Sequence, residues 1–388
     1  MRPVSFSGQN DIRLLHSGAE YFPALIEAFD AATSEIYLET YIFAFDDTAS
    51  SIKAALIRAA QRGVTVNVMT DWLGTGNRQS QILQRDFDAG GVVHRSANPW
   101  FRRGIARMHR KICVVDRKVA FLGGLNIVDD MRDDDDPSII LPAPRWDFGV
   151  SISGPLVATI HWEVALHWAR VGNISWRMRW ASFKEQRMRR PSEAREAMIA
   201  GLVVRDNLRN RRTIQNAYLK ALGGARQYAM LANPYFAPGR KMRAGLISAA
   251  TRGVDVTLLL GVGQYHFQDV IARSFYPQLL KHGIKIFEYQ KAQLHGKVAV
   301  VDDSWATVGS SNYDGFSLFV NQEANVVVID AGFAETLRVH MARGVADGVE
   351  MNLSQFDKIP LHKRILYRIA YQIYKILMRL ITWGKSAE

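Results

Sequence analysis

The chain has 388 residues, of which 48% are apolar, and its 49 basic and 37 acidic side chains give a formal net charge of +12. This length allows two domains with cores of their own, and the charge favours an anionic partner, either nucleic acid or anionic lipid. The single cysteine excludes an intrachain disulfide, and because no uncharged apolar run approaches about 18 residues, we expect neither a standard secretion signal nor a membrane-spanning helix.

Strands and helices alternate through the first half of the chain. The sequence predicts a strand from Glu35 to Phe43, a helix that ends at Gly63, a strand from Thr65 to Met69, a helix from Gln81 to Ala89 and a short strand from Gly91 to Val93. Glycine commonly ends a helix because it adopts the left-handed conformation without strain. Strands separated by helices in this way are typical of a largely parallel sheet.

The second half repeats this order of elements. Its predicted elements are a strand from Gln227 to Ala232, a helix that ends at Gly253, a strand from Asp255 to Leu260, a helix from Val270 to Lys281 and a strand from Ile284 to Tyr289. We therefore predict an α/β fold of two similar halves with mixed, largely parallel sheets, related by a pseudo-twofold axis. The expected parts are a first domain over residues 1–175, a basic linker over 176–212, a second domain over 213–350 and a C-terminal helix over 351–388.

Each half also contains the same five residues at identical spacing. In the first half they are His109, Lys111, Asp116, Gly123 and Asn126. In the second half they are His295, Lys297, Asp302, Gly309 and Asn312. Apolar residues follow each Lys and precede each Gly, with a short turn between them. Each set therefore lies on a two-stranded hairpin, which we expect to join the sheet antiparallel.

This hairpin brings four groups to one corner. A His and a Lys two residues apart on a strand point to the same face, and the returning strand brings the glycine and the Asn back beside the His. The residue after the glycine, Gly124 or Ser310, belongs to a turn whose backbone can approach a ligand closely. Asp116 and Asp302 lie about 23 Å from their own His at about 3.3 Å per residue. We expect them to organise the far turn and to take no part in catalysis.

An imidazole, an ammonium and an amide near glycine-rich backbone suit a phosphate group. If the two corners meet at the interface of the halves, His109 and His295 lie on opposite sides of one phosphorus. One His can then attack to form a phosphohistidine while the other protonates the leaving alcohol. Because the Lys and Asn pairs neutralise the phosphoryl oxygens, we expect neither a metal ion nor another cofactor.

Each His also needs a partner that fixes its tautomer. Asp147 and Glu323 follow the two Asn residues, and each precedes another apolar run. They are the candidates for this role, and the sequence leaves open which acid serves which His.

These residues resemble the paired HxKxxxxD motifs of the phospholipase D superfamily, and the fuller pattern is similar to that of bacterial cardiolipin synthases. The resemblance runs from about Ile12 to Ala346 and includes the segment around Tyr235, which it implies as a substrate-binding residue. It resembles the shorter class that begins directly with the catalytic region. The resemblance implies an enzyme that moves a phosphatidyl group to an alcohol, with His109 as nucleophile and His295 as acid, although these roles could be exchanged.

Several charged segments do not belong to the motifs. An extra ten residues between Asn126 and Asp147 include the acidic run from Asp133 to Asp136, for which we favour a solvated loop over a metal site. His161 and His167 are six residues apart and do not share a helical face, which indicates helix packing and not a metal site.

Two further segments are rich in basic residues. The segment from Arg177 to Arg212 predicts a linker whose basic face meets phosphate-rich surfaces, with plain solvation as the alternative. The segment from Trp100 to Arg107 interleaves aromatic residues with Arg. It suits a lipid headgroup boundary or a cover over the site, and a plain surface loop is the alternative.

The C-terminal segment from Lys363 to Trp383 has an apolar stripe at helical spacing opposite a basic stripe. This pattern is typical of a helix lying in an anionic membrane interface. A helix docked on the second domain is the alternative.

Together these features favour transfer of a phosphatidyl group from phosphatidylglycerol to a second phosphatidylglycerol, with release of glycerol. A phospholipase D-type hydrolase or nuclease phosphodiesterase with the same two-histidine site is the alternative, and a non-catalytic lipid-binding protein would not require both motif copies intact. Phosphatidylethanolamine as donor and glycerol as acceptor stay open. We expect anionic phospholipid and a membrane surface as partners, and not nucleic acid. The expected location is the cytoplasmic face of a bacterial cell membrane, as a peripheral protein.

Overall fold

The computed structural model describes residues 4–99, 106–133, 136, 138–172, 198–206, 210–314, 321–357, 360, 367, 369–374 and 376. The first half contains, in chain order, β1 (Phe6–His16), α1 (Ser17–Ala31), β2 (Glu35–Thr40), α2 (Asp47–Gln61), β3 (Thr65–Asp71), α3 (Trp72–Thr75), α4 (Asn77–Ala89), β4 (Val93–Ala97), β5 (Ile112–Val115), β6 (Val119–Gly123), β7 (Phe148–Ser153) and α5 (Leu156–Val171). The second half contains β8 (Met198–Arg205), α6 (Thr213–Gly224), β9 (Tyr228–Asn233), α7 (Arg240–Thr251), β10 (Asp255–Gly261), α8 (His266–Leu280), β11 (Lys285–Tyr289), β12 (Val298–Val301), β13 (Trp305–Gly309), β14 (Glu323–Ile329), α9 (Ala331–Ala346), β15 (Gly348–Glu350) and α10 (Leu353–Asp357).

The predicted strands and helices are present, with some shifted ends, but the predicted strand from Gly91 to Val93 shares only Val93 with β4, which runs to Ala97. Gly63 and Gly253 have φ of 90° and 92°, the left-handed conformation expected where α2 and α7 end. The first predicted strand ends at Thr40, because beyond it only Phe43 makes a bridge, to Ile127. Helix α4 begins four residues before the predicted Gln81, at Asn77.

All named strands form one sheet of 15 strands, in the order β15-β11-β10-β9-β12-β13-β14-β8-β1-β7-β6-β5-β2-β3-β4. Strands β1 and β8 pair antiparallel at its middle. Outward from this pair the halves have equivalent strands in the same order, β1-β7-β6-β5-β2-β3-β4 and β8-β14-β13-β12-β9-β10-β11. The predicted α/β fold of two similar halves with a mixed sheet is confirmed.

Parallel pairing occupies a smaller part of the sheet than we expected. It joins β3 to its neighbours β2 and β4, and β10 to its neighbours β9 and β11. The other named pairings are antiparallel. The difference arises because only the strands joined through helices run parallel, whereas the motif hairpins and the strands β1, β7, β8 and β14 add antiparallel neighbours.

One apolar core is shared by both halves. It packs α5 and α9 against strands of the two halves, with Val150 and Val326 among its fully buried members. A second core lies under α1, α2 and α4 of the first half, and a third under α6, α7 and α8 of the second half. The shared core holds the motif-bearing edges of the two halves against each other.

Part of the predicted basic linker is a strand. Residues 198–205 form β8, which pairs with β1 and β14 at the centre of the sheet. The physical reason is its apolar run, in which Ala200, Leu202 and Val203 are buried. Residues 176–197 and 207–209 of the predicted linker, which carry many of its basic side chains, lie outside the described residues.

The C-terminal segment is described only at a few positions. Ala370 is buried against the second-half core, Tyr371 stacks edge-on against Phe275, and the Tyr374 hydroxyl donates to the carbonyl of Ala237. Exposed isoleucines stand on the same segment, at positions Ile369, Ile373 and Ile376. Within the described residues, no helix is both long and apolar enough to cross a bilayer.

Candidate active site

In each half, the motif residues lie at the edge of the sheet that meets the other half. His109 precedes β5, which runs antiparallel to β2, so the start of β5 meets the end of β2. His295 precedes β12 in the same relation to β9. The turn after β6 and the turn after β13 return Asn126 and Asn312 to this edge, as the hairpin pattern predicts.

The two halves interlock along this edge through backbone hydrogen bonds. The amide of His109 donates to the carbonyl of Gln322 at 3.0 Å. The amide of His295 donates to the carbonyl of Trp146 at 2.9 Å. Each motif His is therefore placed next to the acid-bearing strand of the other half, since Gln322 precedes Glu323 and Trp146 precedes Asp147.

The His and acid side chains pair across the halves. His109 Nδ1 lies 3.0 Å from Glu323 Oε2, and His295 Nδ1 lies 2.6 Å from Asp147 Oδ2. Both carboxylates are buried. Because an ionised carboxylate only accepts, the Nδ1 atom of each ring is the donor, and Nε2 is the remaining nitrogen in each ring.

The two motif lysines are buried beside the histidines. Lys111 Nζ donates to the carbonyl of His109 at 2.9 Å, and Lys297 Nζ donates to the carbonyl of His295. The ring of Tyr41 contacts both groups of the first corner, with its centroid 4.9 Å from that of His109 and 5.3 Å from Lys111 Nζ. The ammonium groups are therefore fixed next to the imidazoles by backbone carbonyls.

The two motif asparagines differ in their partners. Asn126 Oδ1 accepts from the amide of Ile42 at 3.3 Å. Asn312 Oδ1 is buried and has no hydrogen-bond partner among the described residues. A buried acceptor without a partner is costly, and the second corner therefore has an unsatisfied amide group.

Gly124 and Ser310 face the acids and not open space. A Cβ at Gly124 would lie 2.2 Å from Asp147 Oδ1, so only glycine fits beside this carboxylate. Ser310 is fully buried, and its Oγ donates to Glu323 Oε2 at 2.5 Å. These contacts position the two acids, whereas we expected both residues to approach the ligand.

Tyr235 lies at the same edge, after β9. Its hydroxyl donates to Gln264 Oε1 at 2.8 Å, and its ring lies 5.6 Å from that of Tyr265. It lines a small cavity together with Gln293, which is two residues before His295. The cavity therefore opens beside the second corner.

The comparisons with known proteins agree with this geometry. The family model described as "Cardiolipin synthase, PLD-like domain" matches residues 25–136 and 218–344. Cardiolipin synthase B of Escherichia coli (strain K12) is 36% identical, over 96% of this chain and 90% of the relative. The chain belongs to the cardiolipin synthase family. Membership makes it a phosphatidyltransferase-type enzyme of the phospholipase D superfamily, as the motif resemblance implied.

A further relative and two solved structures are also similar to this chain. Cardiolipin synthase of Clostridium perfringens (strain SM101 / Type A) is 28% identical, over 97% of this chain and 78% of the relative. The crystal structure of phosphatidylserine synthase from Haemophilus influenzae Rd KW20 superposes with a TM-score of 0.71 and 12% identity, over 95% of this chain and 94% of that chain. The crystal structure of polyphosphate kinase from Porphyromonas gingivalis superposes with a TM-score of 0.56 and 16% identity, over 94% of this chain and 56% of that chain. These two likenesses concern the fold alone.

Burial and the two lysines control the charge of the first corner of this cardiolipin synthase family member. Burial lowers the pKa of His109, and Lys111 and Lys297 lower it further, against the raising effect of Glu323. Burial alone would raise the pKa of Glu323, but His109 and Lys111 hold that pKa below its ordinary value. At neutral pH, His109 is therefore a neutral imidazole paired with an ionised carboxylate.

The same balance applies to the acid of the second corner. Burial alone would raise the pKa of Asp147, but the charges of His295 and Lys297 hold that pKa below its ordinary value. The amide of Phe148 also donates to Asp147 Oδ1 at 2.7 Å. Asp147 is therefore ionised at neutral pH.

Asp116 and Asp302 lie in the turns at the far ends of the motif hairpins. Asp116 accepts hydrogen bonds from the amides of Thr33, Ser34 and Glu35. Asp302 accepts from three consecutive amides, those of Arg226, Gln227 and Tyr228. Both carboxylates tie the hairpin turn to the start of the neighbouring strand.

Sequence reasoning missed a buried ion network behind the first corner. Arg110, between His109 and Lys111, donates two bonds of 2.9 Å to Glu39 and one of 2.8 Å to Glu163. His167 Nδ1 lies 2.8 Å from Glu39 Oε1. The sequence signal for this network was that the position between the motif His and Lys holds Arg110 in the first half and Gly296 in the second. Gly296 has no room for a side chain, since a Cβ there would lie 2.9 Å from the ring of Trp146.

The other histidine and acidic candidates form ordinary contacts. His161 Nε2 lies 3.0 Å from Glu35 Oε1. In the acidic loop, Asp136 Oδ1 accepts from Ser138, while residues 134, 135 and 137 lie outside the described part, as do residues 100–105 of the aromatic segment. Across the positions that the structure describes, no group of three or more metal-ligating side chains occurs.

Proposed function

We propose that this protein makes cardiolipin by transferring a phosphatidyl group from one phosphatidylglycerol to another through a phosphohistidine at His109. The observation that carries this proposal is the crossed pairing of His109 with Glu323 and of His295 with Asp147. It supports two oriented imidazoles on a single interface between the halves. Paired imidazoles with separate orienting acids suit a nucleophile and a proton donor in one displacement.

In the first step, His109 Nε2 attacks the phosphorus of phosphatidylglycerol. The new N–P bond forms as the bond from phosphorus to the glycerol oxygen breaks. His295 donates its Nε2 proton to that oxygen, and glycerol leaves. Burial lowers the pKa of His109, which supports its role as nucleophile because attack requires the neutral ring.

In the second step, a hydroxyl of a second phosphatidylglycerol attacks the phosphohistidine. His295 takes the hydroxyl proton, the N–P bond breaks, and cardiolipin leaves with His109 restored. Lys111 and Lys297 offset the negative charge on the phosphoryl oxygens in both steps, with Asn126 and Asn312 as neutral donors. Glu323 and Asp147 hold the ring tautomers, and Gly124 and Ser310 position these acids. Tyr235 contacts the lipid headgroup.

Phospholipase D-type hydrolysis is the second candidate, because the same intermediate reacts with water to give phosphatidic acid. The exclusion of water from the site decides between the two products. The buried setting of both lysines and both acids supports transfer over hydrolysis.

We also propose a peripheral location on the cytoplasmic face of a bacterial membrane. The net charge of +12 supports attraction to anionic lipid. The exposed side chains of Ile369, Ile373 and Ile376 support contact with the bilayer, while Tyr371 and Tyr374 attach the same segment to the second half.

The test is mass spectrometry of the lipids formed when purified protein acts on vesicles with defined phosphatidylglycerol and phosphatidylethanolamine. We expect cardiolipin and an equal amount of glycerol without added metal. Parallel incubation with DNA tests the nuclease alternative. Phosphatidic acid as the main product, or cleavage of DNA without lipid conversion, would contradict the proposal.

A further inference from the structure

Two large apolar side chains are exposed in the segments that follow equivalent strands of the two halves. Leu73 lies in α3, directly after β3, and Phe267 lies in the first turn of α8, after β10. Strands β3 and β10 have the same position in the strand order of their halves. Leu73 is 48% exposed and Phe267 is 54% exposed. An exposed large apolar group in the segment after the equivalent strand of each half indicates a binding surface.

Leu73 is held firmly beside the first corner. The carboxylate of Asp71 accepts from the amide of Leu73 at 2.9 Å and from the amide of Met108 at 2.9 Å. Met108 is the neighbour of His109. Helix α3 also packs on Tyr41, whose ring contacts His109. The backbone that presents Leu73 to solvent is therefore fixed to the wall of the site.

Phe267 has a similar relation to the second corner. The loop before it contains Gln264 and Tyr265, and both contact Tyr235. The amide of Gly263 donates to Asp269 Oδ2 at 2.9 Å, which ties this loop to the first turn of α8. Phe267 is therefore presented to solvent next to the cavity that Tyr235 lines.

Exposed cations follow β9, whose end lies beside the second corner. Helix α7 begins there, after β9, and its first turn has no acidic residue. Arg240 and Lys241 in that turn are both exposed. Cations at the positive end of a helix destabilise the helix, and an anionic ligand would offset that cost. The surface around the site thus combines two apolar side chains with positive charge, which complements an anionic bilayer.

We propose that Leu73 and Phe267 insert into the acyl region of an anionic bilayer, one on each side of the site. Each half then admits one phospholipid to the paired histidines from its own side. This inference rests on the proposed function, because only a reaction between two membrane lipids requires two such approaches.

The experiment compares the double variant Leu73→Ser/Phe267→Ser with the matched control Val93→Ser/Val349→Ser. Val93 and Val349 are 48% and 47% exposed. Val93 pairs with Asn67 near the start of β3, away from α3, and Val349 lies on the outermost strand β15. Binding is measured by cosedimentation with vesicles of phosphatidylglycerol and phosphatidylcholine. We expect the double variant to bind about tenfold or more weakly and the control to bind like wild type.

Activity is measured on the same vesicles and on short-chain phosphatidylglycerol dispersed as monomers. The double variant should lose about tenfold more activity on vesicles than on monomers.

Unchanged vesicle binding, or equal losses on both substrates, would overturn the proposal. A changed sedimentation coefficient without lipid would assign the surface to a second copy of the chain and overturn it too. If the double variant does not fold, Phe267→Ser alone provides the same comparison. Wild-type protein that binds vesicles but converts neither the vesicle lipid nor the monomeric short-chain lipid would refute the proposed function and not the docking surface.

Discussion

His109 and Glu323 form a hydrogen bond of 3.0 Å between residues 214 positions apart in the sequence. The reverse pair, His295 and Asp147, is separated by 148 positions. Each corner therefore takes its orienting acid from the other half, and neither half contains a complete His–acid pair. This crossing makes the reaction dependent on the contact between the halves.

Replacement of His109 by Ala should abolish the covalent intermediate. The attacking nitrogen is lost, and His295 cannot replace it, since its proposed role is to protonate the leaving group on the opposite side of the phosphorus. The measurement is retention of labelled lipid on the protein after acid quenching during turnover. Label retained on His109→Ala at the wild-type level would place the nucleophile elsewhere.

Replacement of His295 by Ala should slow turnover by about 10²–10⁴. Loss of the proton donor matters most when the leaving alcohol is a poor leaving group. A phosphatidyl donor with an acidic phenol as leaving group should therefore recover most of the rate of adduct formation, whereas phosphatidylglycerol should not. Equal losses with both donors would argue against His295 as the acid.

Replacement of Glu323 by Gln should change how the rate of adduct formation depends on pH. The acidic limb of that profile, where the rate falls as His109 is protonated, should move to lower pH. Burial, Lys111 and Lys297 lower the pKa of His109, and Glu323 raises it. Removal of the raising interaction lowers this pKa further, so the ring stays neutral to more acidic pH. The rate itself should fall by about 10²–10⁴, because the tautomer is no longer fixed.

The measurement is the rate of adduct formation by rapid quenching across the acidic range. Asp147→Asn is the matched control. It removes the partner of His295 and should leave unchanged the acidic limb that the protonation of His109 sets. A limb that stays in place or moves to higher pH in Glu323→Gln would show that the carboxylate does not raise the pKa of His109.

Substitution of Ile369, Ile373 and Ile376 by Ser should weaken binding to anionic vesicles by about tenfold. The fold should persist, because Ala370 and Tyr371 form the attachment to the second half. The control is Ile199→Ser/Ile329→Ser, which alters exposed isoleucines on β8 and β14. Vesicle cosedimentation equal to wild type would exclude this segment from membrane contact.

The hairpins, and the corner that each hairpin forms, follow from the sequence because both depend on local spacing. His109 and Lys111 share a face, and Asn126 returns to it, whatever the rest of the chain does. The crossed acids do not follow from local spacing. They depend on the pairing of β1 with β8 and on the shared core, which fix how the halves meet.

Strand β8 and the ion pairs of Arg110 could not be predicted from the sequence, for related reasons. Strand β8 has a short apolar run next to a strongly basic segment, so composition suggested a linker until its pairing with β1 and β14 was known. Arg110 resembles any charged motif neighbour, since its partner Glu39 lies 71 positions away. Both features depend on tertiary partners, which the periodicity of the sequence does not reveal.

Replacement of Asp116 by Asn should lower the free energy of unfolding by about 1–2 kcal/mol without lowering activity per folded molecule. Asp116 has φ of 51°, a conformation that Asn tolerates, so the change removes charge without backbone strain. Burial alone would raise the pKa of Asp116, but its hydrogen bonds to residues 33–35 hold that pKa well below the ordinary value. Its contribution is therefore complete above the unfolded pKa of about 3.9 and is lost as pH falls toward the folded pKa. Urea unfolding of wild type, Asp116→Asn and the control Asp303→Asn checks this, and a difference that does not shrink below about pH 4 would contradict it.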